Sequence, residues 1–310
     1  MKSIYTLTLS PAIDKSSTVE QVMAEHKLRC SVPTYQPGGG GINVSRAIKK
    51  LGGDSVAIYP KGGPTGDLLK KLLDDEKITQ HCIDSQSWTR ENFIVVETLS
   101  GRQFRFGMPG PELLESEWQQ FLDDIASPFH NIDYMVASGS TPPGVPDDFY
   151  ARLARVVHQK NAKLVLDTSG EALKHAVAEG VYLLKPNLKE LSDLVGKELN
   201  SIQEQEEAAL EIANKYNIEI LVVSLGPAGA LLASQNKTMQ VGAPSVAMKS
   251  TVGAGDSMVA GMVLSLANDH SLIETLKYGI AAGTAATMNF GTELCKLEDV
   301  NKLYQWMQSH

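Results

Sequence analysis

Four short apolar runs, at 134–137, 164–166, 182–184 and 220–223, alternate with helical patterns at 147–158, 171–178, 188–195 and 203–216. Runs this short and this continuously apolar predict strands buried on both faces. The helical stretches between them supply the cover. Such alternation predicts a parallel sheet with helices on both faces and right-handed crossovers. Two more helices are expected at 255–268 and 272–288. In the first half, residues 4–9 and 55–59 predict further strands, and 66–75 a helix. Between those strands a glycine run leads into Ile42, Val44, Ala47 and Ile48, spaced as one helix face and stopped by Gly52 and Gly53.

Two segments break the pattern. Residues 15–36 are polar and lack a helical period. Residues 88–108 alternate with period two around Ser100-Gly101, a hairpin signal. Together they predict a small β-layer apart from the main sheet.

Composition removes several function classes. Lys+Arg 28 against Asp+Glu 36 gives a net charge of −8, so no basic face for nucleic acid is signalled. The three cysteines, Cys30, Cys82 and Cys295, are widely spaced and form no CxxC, which predicts free thiols in a reducing compartment. The first residues, MKSIYTLTLSPAID, are too polar for a signal peptide, and no apolar run approaches a membrane span. A cytoplasmic location is expected. HExxH, GxSxG, Walker A and GxGxxG patterns are all missing.

The segment Ser250-Thr251-Val252-Gly253-Ala254-Gly255-Asp256-Ser257 carries the strongest chemical signal. Small residues before a helix let a ligand approach the backbone, and free N–H groups with the helix dipole make an anion site. Asp256 at that end is either an N-cap or a general base beside a phosphate. A second segment, Gly38-Gly39-Gly40-Gly41-Ile42-Asn43, has more glycines than a turn needs. It predicts a backbone pressed against a polyol, with Asn43 offering its amide. A third, Lys185-Pro186-Asn187-Leu188-Lys189-Glu190, follows a buried strand, where open α/β sheets bind ligands. Asn187 and Glu190 can form a capping box, and Glu190 can also hold Mg²⁺ through water. Asp14 and Asp167 each follow a strand, so they are candidates for sugar hydroxyls and for metal support, or simply turn caps.

Taken together, GGGGINVSRAIKKLGG, KPNLKE and STVGAGDSMVAGMV resemble the signatures of the ribokinase-like (PfkB) carbohydrate kinases over nearly the whole chain. YTLTLSPAID, KLRC, WTREN and SGSTPPG resemble the phosphosugar branch of that family. The resemblance implies one kinase domain over residues 1–310. Its fold would be three-layer α/β/α, with a mostly parallel central sheet and a small β-sheet lid from segments about 15–36 and 88–108. It implies ATP-dependent phosphorylation of fructose 6-phosphate at the C1 hydroxyl. Tagatose 6-phosphate and fructose 1-phosphate are the alternative acceptors, and a non-catalytic sugar-phosphate sensor is a remote alternative.

The resemblance also assigns roles. Asp256 is the base, and Gly253, Ala254 and Gly255 form the anion hole. Asp14, Gly38, Gly39, Asn43 and Ser140 hold the sugar, while Arg90, Lys27 and Arg29 hold its phosphate. Lys185, Asn187, Ser224, Gly226, Thr251, Thr284 and Asn289 line the ATP site together with Gly253 and Gly255. Glu190 and Asp167 serve Mg²⁺, and carbonyls of Ser250, Val252, Ala286, Asn289 and Gly291 serve K⁺. A homodimer through the lid is implied as well.

Overall fold

The computed structural model describes residues 2–128, 130–289 and 291–309. Strand β1 (Ile4–Leu7) starts the main sheet, and the chain then leaves it for β2 (Ala12–Val19) and β3 (Thr34–Gly38). Helix α1 (Gly40–Lys50) returns to β4 (Val56–Lys61), and α2 (Gly63–Asp75) leads to β5 (Thr79–Asp84). A second excursion makes β6 (Arg90–Glu97) and β7 (Gln103–Phe106). Next come α3 (Glu115–Ala126), β8 (Tyr134–Ser138), α4 (Phe149–Gln159), β9 (Lys163–Asp167), α5 (Gly170–Ala178) and β10 (Leu183–Leu184). Helices α6 (Leu188–Val195) and α7 (Ile202–Lys215) precede β11 (Ile220–Ser224) and the hairpin β12 (Ala230–Ser234) and β13 (Lys237–Val241). Three helices close the chain: α8 (Ala254–Ala267), α9 (Leu272–Thr287) and α10 (Leu297–Ser309).

The main sheet has the order β13-β12-β11-β10-β9-β8-β1-β4-β5. From β11 to β5 every pairing is parallel; β12 and β13 add antiparallel pairings at one edge. Alternate residues serve opposite faces, as the strand period requires. Tyr134, Val136, Val165, Ile220 and Val222 pack under α1, α8, α9 and α10. Met135, Ala137, Leu164, Leu166, Leu221 and Val223 pack under α3, α4, α5 and α7. The three-layer α/β/α expectation therefore holds.

The excursions form a separate four-stranded sheet, β3-β2-β6-β7, where the lid was expected. Its central pair, β2 and β6, is parallel, with Ala12 opposite Arg90 and Asp14 opposite Asn92.

Four elements were not anticipated: β5, α3, the β12–β13 hairpin and α10. Helix α3 was legible, because Trp118, Phe121, Leu122 and Ile125 sit at helical spacing and are all buried. β5 is an edge strand with little buried surface, so its apolar pattern is weak. No helix among the described residues is long and apolar enough to cross a membrane. All three cysteines are free thiols, as expected.

Candidate active site

β1 is the point where strand order reverses, with β4 on one side and β8 on the other. Open α/β sheets bind ligands at the carboxyl ends of strands beside such a reversal. Here β8 and β9 end at Ser138 and Asp167, which are register partners. Lys185 follows β10 directly. These three residues meet the N-terminus of α8.

The sequence left Asp256 as N-cap or base, and the structure rejects the cap. Gly253 occupies the cap position in left-handed backbone (φ 71), and Asp256 lies in the first turn. A Cβ at Gly253 would lie 2.6 Å from Leu294 Cδ2, so this position needs glycine. The Asp256 carboxylate instead accepts the Asn43 side-chain amide at 2.9 Å and a hydrogen bond from Ser138. Burial, followed by the nearby charge of Asp167, pushes its pKa up to about 6, while Asn43, Lys185 and Ser138 pull the other way. A carboxylate so tuned exchanges protons near neutral pH.

Beside it, the N–H groups of Gly253, Gly255 and Asp256 meet no acceptor among the described residues. The Ala254 N–H leans on the Thr251 carbonyl at 3.4 Å. The open donors thus keep Gly253 and Gly255 of the predicted set and have Asp256 in place of Ala254. Lys185 is buried, with Nζ 3.0 Å from Asp167 Oδ1. Burial opposes its charge, but Asp167, Glu190 and Asp256 outweigh that, and its pKa is raised.

Asn43 is itself held. Arg46, buried in α1, grips Glu76 with two nitrogens and donates to the Pro37 carbonyl at 2.8 Å and, at 3.5 Å, to Asn43 Oδ1. The glycine run also sets α1 against the sheet. A Cβ at Gly40 would lie 2.4 Å from Ser138 Oγ, and one at Gly41 2.4 Å from the Leu7 carbonyl. Gly40 and Gly41 press α1 against the protein's own strands.

On the lid side, Asp14 lies in β2 and accepts from Asn92 at 2.8 Å. Gly38 faces it so closely that a Cβ would lie 2.7 Å from Asp14 Oδ2. Gly39 backs onto Thr8. Arg90 donates to the carbonyls of Met108 (2.7 Å) and Ser10 (3.2 Å), but its Nε is buried with no partner among the described residues. Burial lowers its pKa, with Asp14 opposing. Lys27 and Arg29 are exposed in the β2–β3 connection. Ser140 is exposed just beyond β8, and Ser138 is buried at its end.

On the far side of α8, a cavity of about 440 Å³ is lined by Ser224, Gly226, Thr251, Gly255 and Thr284. The unanticipated β12–β13 region completes it, through Gly229, Ala243, Pro244 and Val246. Asn289 does not line it, and its buried amide donates to the carbonyls of Ala285 and Leu294. Asn187 and Glu190 form a full capping box and border a neighbouring cleft of about 720 Å³. Burial raises the Glu190 pKa, against the Asn187 N–H and Lys185.

Around the α8 loop, Ser250 Oγ donates to the Gly291 carbonyl at 2.9 Å, and the Ala286 carbonyl accepts the Asn289 N–H at 3.2 Å. The carbonyls of Ser250, Val252 and Asn289 accept no hydrogen bond from the described residues.

A family model of the pfkB family carbohydrate kinases matches residues 7–299. The chain belongs to this family. Over 308 residues it is 46% identical to ATP-dependent 6-phosphofructokinase isozyme 2 of Escherichia coli, covering 99% of each. Phosphofructokinase-2 from Escherichia coli in complex with potassium matches with a TM-score of 0.96 at 45% identity, covering 99% of this chain and 100% of that one. The same enzyme in complex with fructose-6-phosphate matches with a TM-score of 0.91 at 43% identity, covering 99% and 100%. For a pfkB kinase, the residues missed by sequence reasoning are Asn92, Ser138 and Arg46. Each lies inside a quoted segment (WTREN, SGSTPPG and GGGGINVSRAIKKLGG), but its place beside the site becomes visible only when its strand or helix is placed.

Proposed function

We propose that this chain is an ATP-dependent kinase that phosphorylates D-fructose 6-phosphate at the C1 hydroxyl, giving fructose 1,6-bisphosphate and ADP. The observation that carries it is Asp256, tuned to about 6 and set beside the open N–H groups of the α8 N-terminus. The whole chain, 1–310, acts as one catalytic unit under its lid.

The sugar lies between the lid and α1. Asp14, Asn92 and Asn43 face its hydroxyls, and Arg90 offers the unpaired Nε to the 6-phosphate. A guanidinium suits that group because its donors are fixed in a plane. Adenine enters the apolar cavity behind α8, and the triphosphate runs toward Lys185. Asp256 takes the proton from the C1 hydroxyl. The C1 oxygen bonds to the γ-phosphorus as its bond to the β–γ bridging oxygen breaks, and ADP leaves. Gly253, Gly255 and Asp256 N–H groups and Lys185 hold the charge that spreads over the transferring phosphoryl oxygens.

Two ions fit the residues present. Glu190 keeps Oε1 outside its capping box, and with Asp167 it forms a hard-oxygen pair suited to water-mediated Mg²⁺. The unpaired carbonyls of Ser250, Val252 and Asn289 suit K⁺, an ion that favours neutral oxygens. When bound, these cations neutralise phosphate charge and order the α8 loop. Val32, Leu99, Phe106 and Met108 are exposed apolar residues on the lid sheet or its connections, which supports a homodimer formed there. The expected compartment is the cytoplasm.

The test is ADP release from purified protein with MgATP and K⁺, offered fructose 6-phosphate, tagatose 6-phosphate and fructose 1-phosphate in parallel. A kcat/KM preference for fructose 6-phosphate supports the proposal. Preference for another sugar keeps the mechanism and changes the substrate. No turnover with any sugar overturns the kinase reading.

A further inference from the structure

Far from Asp256, two imidazoles and a carboxylate converge. His81 lies on β5, Asp124 on α3, and His130 in the connection from α3 to β8. Their donor atoms, one per residue, all lie within 4.8 Å of one another. His81 Nε2 is in contact with Asp124 Oδ2, and His130 Nε2 lies 3.9 Å from the same oxygen. The two imidazole rings are 5.6 Å apart and inclined at 66°, so they do not stack. Tyr5 of β1 packs edge-on against His130 and fixes that ring from the sheet side.

Asp124 Oδ2 is sealed from solvent, with the His81 nitrogen in contact with it and the His130 nitrogen 3.9 Å away. Its near neighbours are the two nitrogens. The site as a whole is half-buried, with His81 40% exposed, which leaves room for water on one side.

We propose that His81, Asp124 and His130 bind one divalent d-block ion of the zinc class. Two imidazoles and one carboxylate suit zinc rather than magnesium or calcium, which require oxygen ligands. Ligand bonds of about 2 Å place donors roughly 3–4 Å apart, so the existing triangle needs only small side-chain rotation. Water completes the coordination on the open side. The ion is structural. Residues 90–106 of the lid leave the main body from β5 and return to it at α3, so the ligands sit on the elements at both roots of that segment. An ion there ties the two roots together.

The probe is Zn²⁺ alone, titrated calorimetrically into EDTA-stripped full-length protein with excess Mg²⁺ present to occupy the catalytic carboxylates. One ion per chain is expected, with a melting temperature that rises with Zn²⁺ concentration. His81→Ala and His130→Ala should each weaken binding by about 100-fold or more, at or beyond the loss of a mere supporting partner. They should also abolish the Zn²⁺-dependent rise. Co²⁺ in the wild-type protein should give visible d–d bands that zinc displaces, a readout independent of whether the variants fold. Amide exchange should slow in β5 and the end of α3 when Zn²⁺ is added. Absence of stoichiometric binding, or binding undiminished in both variants, overturns the site.

Discussion

Asn43 donates its amide to Asp256 Oδ2 across 2.9 Å, joining residues 213 apart in sequence. The contact ties the helix that begins in the glycine run to the helix that carries Asp256. It also favours the ionised carboxylate, so it tunes the acid as well as placing it.

Asp256→Asn should leave sugar binding near wild type and lower kcat by about 10²–10⁴-fold, the usual contribution of a general base. In the wild-type enzyme, kcat/KM should fall as pH drops through about 6, where Asp256 takes up a proton. Asn43→Ala removes a bond to the charged form and should move that limb up. Asp167→Asn removes a repelling charge and should move it down. A pH profile of each variant decides.

The same shift has a stability consequence. Asp256 has a folded pKa of about 6 against an ordinary 3.8. A carboxyl raised in the folded state weakens the fold once ionised. That penalty is absent below about pH 4, grows between the two values and is full above about 6. Asp256→Asn should therefore melt above wild type near neutral pH, and the difference should vanish as pH falls toward 4.

Arg90→Ala should raise KM for the phosphosugar by about 10- to 100-fold, the equivalent of one lost charge-assisted contact of about 1.5–3 kcal/mol. KM for ATP should hardly change, because the nucleotide cavity lies on the other side of α8. Initial-rate kinetics with each substrate varied in turn measures both.

Arg46→Met should destabilise the protein by about 3 kcal/mol. That is the lower end for breaking a buried ion pair, since Glu76 is 33% exposed. It should also displace the acid limb of the pH profile, because Asn43 loses its support. Urea unfolding and the pH profile together separate those two effects.

Gly41→Ala should cost at least about 2 kcal/mol, because its Cβ would lie 2.4 Å from the Leu7 carbonyl. Gly52→Ala, with open space but φ 85, should cost only about 1 kcal/mol from left-handed backbone. Comparative thermal melts test the contrast between crowding and backbone strain.

Much of this molecule could be read from local pattern. Continuous apolar runs identify doubly covered strands, and small residues before α8 identify an anion-binding end, because both depend on residues close in sequence. The Asn187–Glu190 capping box was legible for the same reason. What local pattern could not supply was partnership. Whether Asp256 caps its helix or acts as a base depended on Asn43 and Ser138 arriving from α1 and β8. Asn92 became visible as a site residue only through the β2–β6 register, which sets it opposite Asp14. The glycine run signalled close approach, and the tertiary structure showed that Gly40 and Gly41 approach Ser138 and Leu7. Residue type and spacing determined which chemistry was available. Long-range packing decided which groups meet, how deeply they are buried, and therefore which carboxylate holds its proton to about pH 6.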